Sequence, residues 1–554
     1  MNAPVRIVAL GGLGEIGMNC MAVECDGRIA VIDCGILFPN EPIGVDVIAP
    51  DLGWLRERRA QVGALFLTHG HEDHLGAVPF LLRDVPVPVY ATRFTLALLR
   101  PRLAEAGVSA DLREVVPGDV RPAGAGASSG SPITAEFIAV THSIPDACGL
   151  ALRTPQGTLL HSGDFKIDPT PVRGPGMDLA RIGALGRAGV RLLLSDSTNA
   201  ERSGSSLSEA AVEPALECTL EGARGRVFVA CFASNVHRLQ GVVNAARAFG
   251  RRLAVLGRSM ETNVRVAQEL GYLELPGWMP VSPDEAARLP PRELCVLTTG
   301  TQGEPRSTLA RLARGEHPDL TLGPGDMVIL SSRFIPGNEV AVGQLVNDLC
   351  RRGAEVIYES VRPLHVSGHA HEDEQRRLIA LARPERFMPI HGEYRQLARH
   401  AAHAAAEGVA HRHLLTDGQV LELTDAGAAI LDEPVPTGRV YTDRDALLGA
   451  DIGALVVRDR RLLADAGLCI VVLAVARGSG AVVRGPDLFA RGVAGFEGGE
   501  DELRGEVLRA VDELSPAART DAEEVRATLR EAARRFFRRT TGKRPTVLPV
   551  VLEL

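Results

Sequence analysis

No apolar run in this 554-residue sequence is long enough to cross a bilayer. Val5 to Leu10 is apolar for only six residues around a single Arg, which is too short for the core of a signal peptide. The longest later run, Leu468 to Ala476, also falls far short of a span. The expectation is a cytoplasmic protein that does not enter a membrane. Cysteine is sparse and scattered: nine residues, an odd number, with no C-x-x-C pair, which argues against a disulfide framework and against a zinc ribbon. Internal repeats and low-complexity tracts are absent. Positive charge is also in deficit, the net value being −8, and this argues against nucleic acid, because sequence-independent grip on phosphates normally comes from Lys and Arg. That objection weakens if divalent ions invert the local field. It weakens again because the basic residues are almost all Arg, the better bidentate partner for phosphate.

What is present is a soluble, globular composition, 45% apolar and 23% charged, in a chain too long for one core. Up to about residue 205, short β-rich runs alternate with Gly and Pro: Arg28–Ile32, Ala64–Leu67, Val87–Tyr90, Glu136–Val140, Leu150–Arg153, Thr158–His161 and Arg191–Leu194. From 206 to 355 helix-like Ser208–Glu221 and Val236–Phe249 interleave with strand-like Val227–Phe232, Leu253–Leu256, Cys295–Thr298 and Met327–Ser331, the pattern of a separate α/β unit. Residues 356–424 return to the first texture, so the middle unit reads as an insertion into the first domain. Residues 425–454 read as a linker, and 455–554 as a small C-terminal α/β domain.

The first motif to test is Gly12-x-Gly14-x-x-Gly17 after the strand Val5–Leu10, with Asp33 about twenty residues on. It imitates a dinucleotide-binding fingerprint, but that fingerprint needs a helix after its third glycine. Here Met18 to Cys25 alternates into another strand that ends at the Asp26-Gly27 turn. A β-hairpin is the better reading.

A second motif is denser. Leu65–Thr68 is a buried strand running into His69-Gly70-His71-Glu72-Asp73-His74, four candidate metal ligands within six residues. Imidazole suits zinc, manganese and iron, and carboxylate suits harder ions, so one strand-to-helix loop can feed two adjacent metals. His71 and His74, three apart at a helix start, can aim at neighbouring ions. His142 and Asp164 follow the ends of later strands, and a carboxylate there can bridge both ions. The bland alternative is a solvated polar loop with an ordinary loop histidine and a turn-forming Asp.

This run, with Asp33, His142 and Asp164, resembles the metallo-β-lactamase superfamily. The resemblance implies an αβ/βα sandwich with its metals at one edge of two packed sheets. It places His69, His71 and His142 on one ion, Asp73 and His74 on the other, and Asp164 on both, with Asp33 orienting the ligands. The superfamily also contains lactamases and thioesterases, so a small-molecule metallohydrolase and a catalytically silent RNA-binding protein stay open as alternatives.

Ser195 to Asn199, Leu364 to His369 and Pro389 to Tyr394 flank the middle unit and resemble the three additional motifs of the β-CASP nucleases, most closely those of the ribonuclease J family. The implied fold class is a metallo-β-lactamase sandwich with an inserted α/β β-CASP domain and a small C-terminal α/β domain. The implied activity is metal-dependent hydrolysis of RNA, 5′-to-3′ exonucleolytic and endonucleolytic, leaving 5′-phosphates. Two transition-metal ions, zinc or manganese, roughly 3.5–4 Å apart, would lower the pKa of a shared water and neutralise the phosphate. His391 would complete the second ion, and Asp196 and His369 would work at the catalytic edge, His369 aiding the departing 3′-oxygen and favouring RNA over DNA.

Ser234, Asn235 and His237 sit where a strand meets a helix, a place that can hold phosphate; helix capping by Ser234 or Asn235 is the plain alternative. With His365, Val366, Ser367, Gly368 and His369 they resemble the family's pocket for a 5′-monophosphate on single-stranded RNA. Asp451 resembles a position for a further structural divalent ion. The resemblance also implies a homodimer or homotetramer formed through the C-terminal domain. The basic run Arg530 to Arg544 with Phe536 and Phe537 reads either as an RNA contact or as a solvated helix face over two core aromatics.

Overall fold

The computed structural model describes residues 2–39, 44–124, 131–333, 338–359, 361–362, 364–442 and 452–554. Asp451 lies outside the described residues. The chain divides into two compact units: one is Met1–Asn40, Val47–Arg439 and Leu447–Gly449, and the other is Glu41–Asp46, Val440–Ala446 and Ala450–Leu554.

Strands such as Arg28–Ile32, Val62–Phe66 and Val190–Asp196 are buried along almost their whole length, as expected where both faces of a sheet are covered. They assemble into two sheets. The first runs Gly427–Ile430, Val420–Thr424, Val5–Gly11, Cys20–Cys25, Arg28–Ile32, Val62–Phe66, Val89–Thr92, Leu112–Val115. In the second the order is His411–Arg412, Arg386–Ile390, Val190–Asp196, Gly157–His161, Cys148–Thr154, Thr134–Ala139, Val120–Pro122. Alternate residues of the two meet in one core: Val5, Ile7, Ala30, Ile32 and Phe66 from the first, Phe137, Leu150, Leu152, Leu192 and Leu194 from the second. Cys20–Cys25 pairs antiparallel with Val5–Gly11, so the glycine segment is followed by a strand, not a helix.

Strand direction then fixes where function can gather. Gly157–His161, Val190–Asp196 and Arg386–Ile390 are parallel neighbours, and two antiparallel steps give Thr134–Ala139 the same direction as Gly157–His161. Arg28–Ile32 and Val62–Phe66 are likewise parallel. The C-terminal ends of these strands carry Asp33, the His69–His74 loop, His142, Asp164, Asp196 and His391.

Val190–Asp196 and Arg386–Ile390 are adjacent in the sheet yet almost two hundred residues apart in sequence, which makes the intervening segment an insertion. Much of it is a six-stranded sheet, parallel throughout: Pro280–Val281, Arg252–Leu256, Leu294–Thr298, Val227–Ala230, Met327–Leu330, Glu355–Ile357. It has its own core around Phe228, Val296, Leu312 and Val328. Arg238 ties the insertion to its flanks, donating to Glu209 at 2.6 Å, to Ser331 Oγ at 2.6 Å and to the Leu364 carbonyl at 3.0 Å while only 1% exposed. A buried arginine is tolerable because every charge is paired and hydrogen-bonded.

The linker reading of residues 425–454 differs from the structure at its start. Gly427–Ile430 pairs antiparallel with Val420–Thr424 and extends the first sheet. Its small residues, GAAI, carry little β signal, and the turn before it, Asp425-Ala426-Gly427, looks like a chain break rather than a hairpin.

In the second unit, Leu468–Val475 lies between Val482–Arg491 and Thr546–Glu553. Helices Glu500–Asp512 and Ala522–Thr540 contribute Leu503, Val507, Leu529 and Ala533 to its core. Phe536 and Phe537 are buried there against Phe496, which is the core reading of that motif; Arg530, Arg534, Arg535 and Arg538 face outward.

Candidate metal centre and active site

Asp33 has a left-handed backbone, φ 58°, immediately after its strand. This turns its carboxylate back to accept from the Thr68 amide at 2.8 Å, the Thr68 hydroxyl at 2.8 Å and His74 Nδ1 at 2.8 Å. Gly35 lets the two loops touch, since a Cβ there would lie 1.7 Å from the Asp73 carbonyl oxygen. His71 is the N-cap of the short helix Glu72–Leu75, which lifts Asp73 and His74 onto the site. His391 is the second strained residue, φ 52°, at the end of Arg386–Ile390.

Three overlapping sets of four donors result among the described residues. His69, His71, His142 and Asp164 converge within 4.8 Å, as do Asp73, His74, Asp164 and His391, and Asp164, Asp196, His369 and His391 form the third set. His69 Nε2 and His142 Nε2 lie 3.0 and 3.1 Å from His71 Nδ1. Asp164 Oδ2 lies 3.7 Å from His69 Nε2, 3.8 Å from His142 Nε2, 3.2 Å from His74 Nε2 and 3.4 Å from His391 Nε2. Asp73 Oδ2 is 3.2 Å from His391 Nε2 and 3.6 Å from His74 Nε2.

The partners behind the rings assign their tautomers. His74 Nδ1–H donates to Asp33 and His142 Nδ1–H donates to the Gly368 carbonyl at 2.7 Å. Thr68 and Thr198 give their hydroxyl protons to Asp33 and Asp196, so each accepts from a ring, His69 at 3.0 Å and His391 at 2.8 Å. Four imidazoles thus turn Nε2 inward, and His71 turns Nδ1. Nitrogen lone pairs crowded this closely, with carboxylates, suit divalent metal ions, and outer carboxylates and hydroxyls orient them as metal sites require.

Protonation follows burial and charge. Burial drives His69 and His142 well below the ordinary imidazole value and His71 down to about 4. Burial pushes His74 and His391 the same way, but Asp164, Asp73 and Asp33 outweigh it at His74, and Asp164, Asp73 and Asp196 lift His391 to about 9. Burial opposes ionisation of Asp164 and Asp73, yet His391 and His74 hold both low.

Beside the second set, His369 Nδ1 meets Asp196 Oδ2 at 2.8 Å and stands 3.9 Å from Asp164 Oδ2. Burial is again outweighed, by Asp196 and Asp164, so His369 is raised and suited to donate a proton.

The remaining expected residues are engaged differently. Asn235 caps the helix Val236–Ala248, its side chain accepting from the Arg238 amide at 3.0 Å, which is the capping alternative. Ser367 Oγ accepts from the His369 amide at 3.1 Å and from Asn199 at 2.8 Å. Gly368 orients His142, and a Cβ on it would meet that ring at 2.9 Å. Val366 is buried, and Ser234 is half-buried beside the capped helix end. His237 and His365 are half-buried, each with a buried Nδ1 unpartnered among the described residues; desolvation lowers both, His365 to about 3. Sequence reasoning missed Asn19, whose Nδ2 lies 3.0 Å from the Asp73 carbonyl and 3.1 Å from His74 Nε2. It also missed Thr68, Thr198 and the buried His161 beside the site. Asn19 lay in the glycine segment, whose only apparent signal was the rejected fingerprint.

Fold and site together define a metallo-β-lactamase-type hydrolase carrying a β-CASP insertion. Family models agree: the metallo-beta-lactamase superfamily matches residues 13–210, the ribonuclease J beta-CASP domain 224–349, the Zn-dependent metallo-hydrolase RNA specificity domain 353–414 and the ribonuclease J C-terminal domain 455–554. Ribonuclease J of Mycobacterium tuberculosis is 40% identical, covering 99% of this chain and 97% of its own. Ribonuclease J2 of Bacillus subtilis is 38% identical over 99% of each chain, and ribonuclease J of Helicobacter pylori 36% over 99% of this chain and 79% of its own. The chain belongs to the ribonuclease J family of metal-dependent ribonucleases. A crystal structure of an Enterococcus faecalis protein of unknown function shares the fold alone, with TM-score 0.54 and 16% identity over 77% of this chain and 100% of that one. No helix among the described residues is long and apolar enough to cross a membrane.

Metal binding should release protons, because His74 and His391 hold protons near neutral pH that an ion must displace. Calorimetric titration of stripped protein with zinc at pH 7, in buffers of different ionisation enthalpy, should show net proton uptake by the buffer. Apparent affinity should climb as pH rises towards 9. Buffer-independent heats would show that these imidazoles are already neutral.

Proposed function

We propose that the protein hydrolyses single-stranded RNA at a site for two divalent transition-metal ions, zinc or manganese, as a 5′-to-3′ exonuclease and an endonuclease leaving 5′-phosphates. The observation that carries this is the pair of four-donor sets sharing Asp164, with His369 and Asp196 alongside. His69, His71, His142 and Asp164 would hold one ion, and Asp73, His74, His391 and Asp164 the other. When bound, such ions activate water and neutralise phosphate charge. The chain's own residues do the rest: Asp33 and Thr68 hold the ligands in register, and Asp196 orients His369 to protonate the departing 3′-oxygen. Membership of the family, and the match to the RNA specificity domain over the segment containing His369, support RNA as substrate. A lactamase-like role leaves the insertion and His369 without a task.

Ser234 and Ser367, with the unpartnered His237 and His365, support a cradle for one 5′-phosphate. Lys166, Arg238 and Arg202 give His365 a positive surrounding. A triphosphate would be too bulky for such a pocket. Mononucleotide release should therefore be fast from 5′-monophosphorylated RNA and slow from triphosphorylated RNA. Ser234→Ala with Ser367→Ala should cut the exonuclease rate at least about tenfold, since a lost hydrogen bond to a charged group is worth roughly 1.5–3 kcal/mol, while internal cleavage falls less. Indifference to the 5′ phosphorylation state would contradict the pocket.

The C-terminal unit supports self-association. Its sheet buries Cys469, Val471 and Val547 against the helices, and turns out Phe489, 61% exposed, Leu548, 48%, and Leu552, 48%. Cross-strand pairing sets Phe489 beside Ile470 and Ile470 beside Leu548, so these form one apolar face. A second copy docked there would give the homodimer or homotetramer. Phe489→Asp with Leu548→Asp should convert it to monomer in analytical ultracentrifugation; an unchanged sedimentation coefficient would place the contact elsewhere.

A further inference from the structure

The loop that carries His142 is short and closed at its base, where the Val140 amide donates to the Ala147 carbonyl at 3.1 Å. Asp146 near its end has a left-handed backbone, φ 58°, which an Asp adopts at some cost and keeps only if its surroundings insist. Three groups insist. The Thr92 hydroxyl donates to the Asp146 carbonyl at 3.0 Å, the Phe94 amide donates to its carboxylate, and the Tyr272 hydroxyl donates to Asp146 Oδ2. Tyr272 comes from the insertion, just after the helix Arg258–Glu269, and its ring packs edge-on against Phe94 with centroids 5.3 Å apart. Arg173 grips the same segment, at the Gly271 carbonyl and at Glu274.

This anchor reaches the metal ligands by two routes. Asp146 ends the loop of His142 directly. Ile144 of that loop and Leu98 of the helix Arg93–Glu105 both press on Gly70 between His69 and His71: a Cβ there would lie 3.2 and 2.9 Å from them. Three ligands of one donor set therefore rest on a block whose outer fastening is Tyr272.

We propose that Tyr272 is a positioning residue for the His69, His71 and His142 donor set, acting through Asp146, so that the insertion helps to shape the catalytic centre. The inference rests on the metal-dependent reading above but concerns the chain without metal as much as with it. No role follows for Tyr272 in touching RNA.

The test compares full-length protein with Tyr272→Phe, which keeps the ring on Phe94 and removes only the hydroxyl, and with Asp146→Ala and Asp146→Asn. Asn retains an oxygen for the tyrosine hydroxyl, so it should restore most of what Ala loses. Zinc titration of stripped protein should show one of two sites weakened about tenfold in Tyr272→Phe and in Asp146→Ala, the other site unchanged. Hydrogen exchange in the metal-free chain should quicken at residues 140–147 in both. On single-stranded RNA, kcat should fall with KM nearly constant. Wild-type zinc affinity and exchange in Tyr272→Phe would overturn the proposal, as would a rise in KM at constant kcat, which would make Tyr272 a substrate contact. If Asp146→Ala does not fold, Tyr272→Phe alone decides by the same readouts. Two-site zinc binding without RNA cleavage by the wild type would instead refute the proposed activity and leave this inference standing.

Discussion

Everything at the active edge depends on one buried carboxylate. Asp164 is 3% exposed and has four imidazole nitrogens within 3.8 Å. An isolated carboxylate in that position would be intolerable, and an isolated cluster of imidazoles would have no reason to converge. Each makes the other affordable only if positive charge sits between them, as protons on His74 and His391 or as metal ions. The same carboxylate belongs to all three donor sets.

The fold makes that convergence possible by directing strand ends. Seven side chains from four separate strand termini reach one point because the strands of the two sheets that supply them end on the same edge. The strained turns at Asp33 and His391 aim carboxylate and imidazole at the site, and small residues such as Gly35 allow loops to approach where any Cβ would collide. The insertion enters beside this edge, between two strands that are sheet neighbours, and brings His369 to Asp196 on its return.

Much of this was legible in the sequence. The run from His69 to His74 is dense enough to announce a metal site, and His142 and Asp164 follow strand-like runs, so their place on a common edge could be reasoned. The texture change between 206 and 355 marked the insertion. Less legible were residues whose role is set by long-range contact. Thr68 and Thr198 are ordinary polar residues until the fold puts them behind the imidazoles, and so is Asn19 until the fold brings it to His74 Nε2. Asp146 and Tyr272, 126 positions apart, have no local pattern linking them. Short, small-residue strands such as Gly427–Ile430 escape pattern reading because pairing, not composition, makes them strands. Asn235 shows the opposite case: a helix-start polar residue was read as a phosphate contact and as a cap, and its side-chain oxygen is the cap.

The central claim is that Asp164 is shared by two ions. Anomalous diffraction from crystals grown with zinc, recorded on both sides of the zinc absorption edge, tests it directly. The account predicts two peaks, one among His69, His71 and His142 and one among Asp73, His74 and His391, with the Asp164 carboxylate in contact with both. A single peak, or two peaks with Asp164 bound to only one, would contradict it.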